Sequence, residues 1–312
     1  MSIFEKAFEK AGKGSGEEQT DQLFDSADGL MNIPSSLDEG GGGPGSSDDL
    51  DAGLWNGNQP QAAGHGKQVM LDLSRLRDAG LVDPKSNKTN RTTEEFRRIK
   101  RPLLMHVRGE GATVVDNANM IMVTSALPGE GKTFTSINLA MSIAMEMDKT
   151  VLLIDADVAK PDVTARLGVE AETGLIDVLL DEGLTLPDVL LRTDIPKLTL
   201  LPSGSRHVHS TELLASERMR QLTLELSKRY PDRIVIFDSP PLLLTSEARV
   251  LASLMGQIVL VTEESKTPQH AVKEAAEMLD DNEIVGIVMN KGAHRKEGDG
   301  GYGGYGYYPY GR

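Results

Sequence analysis

Six apolar runs recur through the middle of the chain: MIMVTS (120–125), TVLLID (150–155), LTLLP (198–202), RIVIFD (233–238), QIVLVT (257–262) and IVGIVMN (284–290). They are continuous rather than alternating. A strand with one face in water alternates apolar and polar residues, whereas a continuous run needs both faces covered. Between the runs lie stretches of helical pattern at 132–147, roughly 174–192, 211–229, 245–254 and 267–279. Strands alternating with helices predict an α/β domain with a largely parallel sheet flanked by helices. One such domain over 91–292 is the economical reading.

The flanks are different. Residues 1–66 hold five Glu and seven Asp against three Lys, so they carry −9 of the chain's net −14. They include GGGGPGSSDD and too little apolar surface to offset ordering entropy, which predicts a disordered region. The acidity is mostly a property of this region. It counts against nonspecific nucleic-acid binding, which depends on neutralising phosphates. Residues 67–90 form a short docking segment and linker. Within it, VMLDLSRLRDAGLVDP (69–84) carries a stripe of Leu71, Leu73, Leu76 and Leu81, with Gly80 as a helix stop and Pro84 beyond it. Such a helix docks either on its own domain or on a partner. In RTTEEFRRIKRPLLMHVR (91–108), Phe96, Ile99 and Leu103 have helical spacing, Thr92 or Thr93 is placed to cap the start, and Pro102 is expected to break or kink the helix. Arg97, Arg98, Lys100 and Arg101 make its polar face basic.

The absence of cysteine excludes disulfides, iron–sulfur clusters and thiolate zinc sites. There is no run of about 18 apolar residues and no signal-peptide pattern, so the expected location is cytoplasmic.

Directly after the first long strand comes SALPGEGKTFTSINLA, opening a helix. From Ala126 it reads A-x-x-x-x-G-K-T, a Walker A loop with alanine in place of the first glycine. Gly129 and Gly131 let backbone N–H groups turn inward around phosphates, and the helix N-terminus adds its dipole. Lys132 reaches the β/γ oxygens and Thr133 offers its hydroxyl to Mg²⁺. Pro128, Gly129, Glu130, Gly131, Lys132, Thr133 and Phe134 are the nucleotide-binding candidates. Asn290, at the end of the last strand, is a candidate contact to the adenine base. Two further strand ends are acidic: Asp155 and Asp157 in VLLIDADVAKP, and Asp238 in IVIFDSPP. In a parallel sheet the C-terminal strand ends share one edge, so these carboxylates converge on the phosphate loop. Asp155 and Asp238 join Thr133 as candidate magnesium ligands, and Asp238 fits the Walker B role. Lys132, Asp155, Asp157 and Asp238 are the catalytic candidates.

The Walker A loop, the D-x-D-x-x-x-P segment, the DSPP strand end and a tyrosine-rich C-terminus together resemble the bacterial tyrosine autokinases of capsule and exopolysaccharide synthesis, over about residues 90–312. EEFRRIKRPLL and LDLSRLRDAGLVDP further resemble the subgroup associated with exosortase (PEP-CTERM) loci. The resemblance implies a P-loop NTPase fold of the MinD/ParA-like, deviant Walker type, with ATP and Mg²⁺ as cofactors. It also implies Asp155 and Asp157 as Walker A′ acids, one of them polarising the substrate hydroxyl. It implies an E-x-x-R-x-x-R oligomerisation motif, read as Glu95, Arg98, Arg101 or, in a second register, Glu94, Arg97, Lys100. Implied partners are further copies in a ring, a membrane polysaccharide co-polymerase (a Wzz-type chain-length determinant) as activator, and a phosphotyrosine phosphatase. The implied place is peripheral at the inner membrane through that activator. Ala159 stands where many members have arginine, with Lys160 next. Leu127 stands where partition and cell-division ATPases have their additional lysine, which counts against the alternative of a switch ATPase that hydrolyses ATP without tyrosine transfer.

The chain has six tyrosines, and five of them, Tyr302, Tyr305, Tyr307, Tyr308 and Tyr310, fall in GYGGYGYYPYGR at its end. So much glycine and no aliphatic residue cannot build a core, so 293–312 is expected to be a flexible tail displaying its rings. The resemblance makes these five the expected phosphoacceptors.

Overall fold

The strands are β1 (Lys67–Val69), β2 (Met120–Ser125), β3 (Thr150–Asp155), β4 (Leu191–Thr193), β5 (Leu198–Leu201), β6 (Arg233–Asp238), β7 (Gln257–Glu263) and β8 (Val285–Asn290). They form one sheet in the order β1-β4-β5-β3-β6-β2-β7-β8. Every neighbouring pair is parallel except β4 with β5. This computed structural model describes residues 67–292 apart from 87–89, 112, 230–231, 281 and 283. The 1–66 region and the 293–312 tail with its five tyrosines lie outside the described residues.

The helices are α1 (Leu73–Asp78), α2 (Arg91–Val107), α3 (Lys132–Ala144), α4 (Val163–Leu167), α5 (Leu175–Leu180), α6 (Leu186–Val189), α7 (Ser210–Leu214), α8 (Glu217–Arg229), α9 (Ser246–Ala252) and α10 (Gln269–Glu277). They cover both faces of the sheet, which is why the central strands have no polar face. Met120, Met122, Leu152, Ile154, Val235, Phe237, Ile258 and Leu260 pack in one core with α5–α10. The intervening Ile121, Val123, Val151, Leu153, Ile234, Ile236, Val259 and Val261 pack in the other with α1–α4. The period of two along each strand thus divides each apolar run between two cores.

Residues 67–86 dock on their own domain. β1 adds a parallel edge strand beside β4. Asp72 caps α1, accepting from the Ser74 and Arg75 N–H groups, and Gly80 ends it at φ 77°. Leu71, Leu76, Leu81 and Val82 are buried. Two side chains fasten the strap: Asn138 accepts the Val82 N–H at 2.6 Å, and Asp194 accepts from Leu71 N–H at 2.9 Å and Lys85 Nζ at 2.6 Å.

Four expectations change in detail. The helix expected over 211–229 is two, α7 and α8. The helix expected over 174–192 is two short helices followed by β4. Asp181 leaves the helical region and accepts the Gly183 N–H at 2.8 Å, and Thr185 with Asp188 then caps a new start. The cap of α2 is Asn90, two and three residues before the threonines, with its Oδ1 accepting the Thr93 N–H at 2.8 Å. Pro102 does not end α2, which runs to Val107. Arg98, whose carbonyl would receive the missing proton, is exposed, so water can take its place.

Candidate active site

The strand order brings the chemistry together. β6 lies between β3 and β2, so the ends of β3 and β6 stand beside the loop that leaves β2. Asp155 is in register with Asp238, and Asp238 with Val123. This is also where the connections change direction across the sheet, the place where open α/β sheets take ligands. Gly129 (φ 83°) and Gly131 (φ 101°) bend the loop through the left-handed region, and Gly131 becomes the N-cap of α3.

Lys132 is 9% exposed, with Nζ 2.5 Å from Asp157 Oδ2. Burial by itself would lower its ammonium. The carboxylates of Asp238, Asp157 and Asp155 outweigh that and raise it. Asp155 and Asp238 are completely buried. Burial, then repulsion from Asp238, pushes the Asp155 carboxyl up to about 8. Burial also raises Asp238, to about 6, against the opposing pull of Lys132 and hydrogen bonds from Thr133 and Ser136. Asp157 Oδ1 accepts the Lys160 N–H at 3.1 Å, turning the D-x-D loop back on itself.

Asp155 and Asp238 each have one satisfied and one unsatisfied oxygen. Asp155 Oδ2 accepts from the Asp162 and Val163 N–H groups at 3.2 and 3.1 Å, and Asp238 Oδ1 accepts from Ser136 Oγ at 3.0 Å. Asp155 Oδ1 and Asp238 Oδ2 have no donor. Buried oxygens of this kind call for a partner, and the Thr133 hydroxyl lies against Asp238. Hard oxygen donors beside a phosphate loop fit magnesium, which takes one or two carboxylates and fills its remaining positions with phosphate and water. Among the described residues no three acidic or histidine side chains group as a self-sufficient metal site.

The sequence matches the family model described as an AAA domain over residues 118–281. Tyrosine-protein kinase YwqD of Bacillus subtilis (strain 168) is 34% identical over 224 residues, 71% of this chain and 89% of that protein. Tyrosine-protein kinase CpsD of Streptococcus agalactiae is 32% identical over 216 residues, 68% of this chain and 88% of that protein. The chain belongs to the bacterial tyrosine-protein kinases. Among solved structures, the VpsO kinase domain superposes with a TM-score of 0.55 at 31% identity, covering 64% of this chain and 94% of that one.

In this kinase the structure brings Lys132, Thr133, Asp155, Asp157 and Asp238 to one point. Other predicted residues sit elsewhere. Phe134 turns its ring away from the carboxylates, edge-on to Phe96 with centroids 6.2 Å apart, and lines a cavity of about 270 Å³ with Arg75, Leu81 and Arg166. Glu130 is buried, and its Oε2 accepts the Leu127 N–H at 2.8 Å. Asn290 Nδ2 donates to the Glu130 carbonyl at 2.9 Å. On α2, Glu95, Arg98 and Arg101 form an exposed stripe. Lys100, from the second register, is instead buried, bonding the Ser142 carbonyl at 2.7 Å and Glu146 at 2.6 Å. Among the described residues no helix is long and apolar enough to cross a membrane.

Sequence reading missed Ser136, whose hydroxyl lies 2.9 Å from the Lys132 carbonyl and 3.0 Å from Asp238. Its position four residues after Lys132, on the same helix face, is the signal that would have found it. Thr267 and Lys291, which also touch the phosphate loop, carry no such local signal.

Proposed function

We propose that this kinase moves the γ-phosphoryl group of ATP to the tyrosines of its own C-terminal segment, Tyr302, Tyr305, Tyr307, Tyr308 and Tyr310, in a neighbouring copy within a ring. The observation that carries this reading is the pair of buried carboxylates with unsatisfied oxygens beside the phosphate loop and its lysine, in a chain that is a bacterial tyrosine kinase. Thr133, Asp155 and Asp238 would hold magnesium, which when bound neutralises charge developing on the transferred group. Lys132 would take the β/γ oxygens, releasing Asp157 from its ion pair. The phenol oxygen forms the new bond to phosphorus, the bond to the β–γ bridging oxygen breaks, and ADP leaves. The phenol proton passes to Asp157, late along the reaction because a phenol ionises only near pH 10.

Geometry supports the acceptors' access. β8 ends at Asn290, against the phosphate loop, and Tyr302 lies twelve positions further on, a reach of up to about 40 Å. That spans to a neighbour's site as well as to its own. The exposed Glu95, Arg98 and Arg101 are the proposed contacts between copies. Each phosphotyrosine adds roughly −1.5 to −2 charges, so heavy phosphorylation should loosen the ring by repulsion. The resemblance to capsule and exopolysaccharide kinases supports a role for this cycle in polysaccharide polymerisation and export, under a membrane co-polymerase activator and a phosphatase.

The test is mass spectrometry of the purified chain after incubation with Mg-ATP, with and without a cytoplasmic fragment of the activator, and with Lys132→Met as control. Phosphate on Tyr302–Tyr310 that is lost in the variant is the expected result. Released phosphate with bare tyrosines in both tubes would replace the proposal with a switch ATPase.

A further inference from the structure

The phosphate loop is braced from outside by side chains that lie far along the chain. Lys291 Nζ donates to the Gly129 carbonyl at 2.7 Å and to Glu263 Oε2 at 3.0 Å. Asn290 Nδ2 donates to the Glu130 carbonyl at 2.9 Å. Glu130 completes the brace: its Oε1 accepts the Thr267 hydroxyl, and Thr267 Oγ1 accepts the Glu263 N–H at 2.9 Å.

Across a trans peptide, the carbonyl of one residue and the N–H of the next point in opposite directions. Drawing the Gly129 carbonyl toward Lys291 therefore turns the Glu130 N–H the other way. Drawing the Glu130 carbonyl toward Asn290 does the same for the Gly131 N–H. A phosphate cradle needs consecutive N–H groups aimed at one point. The glycines at 129 and 131 make that orientation accessible without imposing it, because glycine populates both signs of φ.

We infer that Asn290 and Lys291 are positioning residues that orient the two central peptides of the loop toward phosphate. The inference rests on reading 126–133 as the triphosphate site. Two further observations support it. A Cβ at Gly131 would lie 2.0 Å from Asn290 Nδ2, so the amide is packed directly against the loop. Lys291 adopts φ 58°, a backbone region that side-chain-bearing residues rarely occupy, while making these bonds.

The experiment is titration calorimetry of the full chain with ATP, GTP and inorganic tripolyphosphate in the presence of magnesium. Asn290→Ala, Lys291→Met and Lys291→Arg are compared with the unaltered protein, and melting temperatures without ligand report folding. Loss of one charge-assisted hydrogen bond corresponds to about a tenfold change in affinity. The expected result is that Asn290→Ala and Lys291→Met weaken ATP and tripolyphosphate by the same factor, leave the ATP-to-GTP ratio unchanged, and that Lys291→Arg recovers most of the loss. If Asn290→Ala leaves tripolyphosphate binding intact while erasing the preference between ATP and GTP, Asn290 reads the base and the inference is overturned. Should Asn290→Ala fail to fold, Lys291→Met, at a half-exposed position, decides. An unaltered protein that binds ATP but no tripolyphosphate refutes the cradle reading itself, and this inference with it.

Discussion

Asp155→Asn should make the protein more stable while abolishing phosphoryl transfer. The native carboxyl titrates near 8 against 3.8 when free, because burial and the neighbouring Asp238 disfavour its charge. Below pH 3.8 both folded and unfolded chains hold the proton, so the site costs nothing on this account. Between 3.8 and about 8 the folded chain keeps a proton that the unfolded chain releases, and stability falls as pH rises, by about 1.4 kcal/mol per unit. Above about 8 the loss is complete. At pH 7 the penalty reaches about 4 kcal/mol, or roughly 8–16 °C in melting temperature for a domain of this size. Asparagine carries no charge to desolvate. Its carbonyl can still accept from Asp162 and Val163, and its amide replaces the oxygen that has no donor. Thermal unfolding followed by circular dichroism from pH 4 to 8, without magnesium, should show the variant's advantage widening with pH. Mg-ATP should then raise the melting temperature of the unaltered protein more than that of the variant. An Asp155→Asn protein that melts at or below the unaltered one across this range would refute the reasoning.

Lys132→Met should behave in the opposite way: inactive, and less stable by about 3–5 kcal/mol at pH 7, because Asp157 and its buried neighbours lose their cation; denaturant unfolding reads this directly. Replacing Glu95, Arg98 and Arg101 together by alanine should lower the oligomeric mass seen by light scattering with little change in melting temperature, since all three are exposed. Asn138→Ala should cost about 1–3 kcal/mol by stranding the buried Val82 N–H, and should make residues 67–86 more susceptible to limited proteolysis.

The central sheet was legible because β2, β3, β5, β6 and β7 bury both faces, which calls for continuous apolar runs. β1 and β4 were not: at three residues each they carry no period, and each exists because a neighbour offers an edge. The meeting of Lys132, Thr133, Asp155, Asp157 and Asp238 could be read because the C-terminal ends of parallel strands share one edge. The loop's support could not. Thr267 meets Glu130 across 137 positions and Asn290 meets it across 160, distances over which only the fold sets proximity. The choice of register on α2 was open for the same reason. Only the fold shows that Ser142 of α3 takes Lys100 inward while Glu95, Arg98 and Arg101 stay exposed.

The last two anchors of the phosphate loop immediately precede Gly292, where the described domain gives way to the tyrosine segment. A truncation meant to remove only the proposed acceptor tyrosines therefore has a narrow permitted boundary. Ending the chain after Gly292 keeps Asn290 and Lys291 on the loop carbonyls, whereas a cut three residues earlier deletes both. A shortened enzyme of the second kind that proved inactive would say nothing about the tyrosines, because its nucleotide site would have been dismantled along with them.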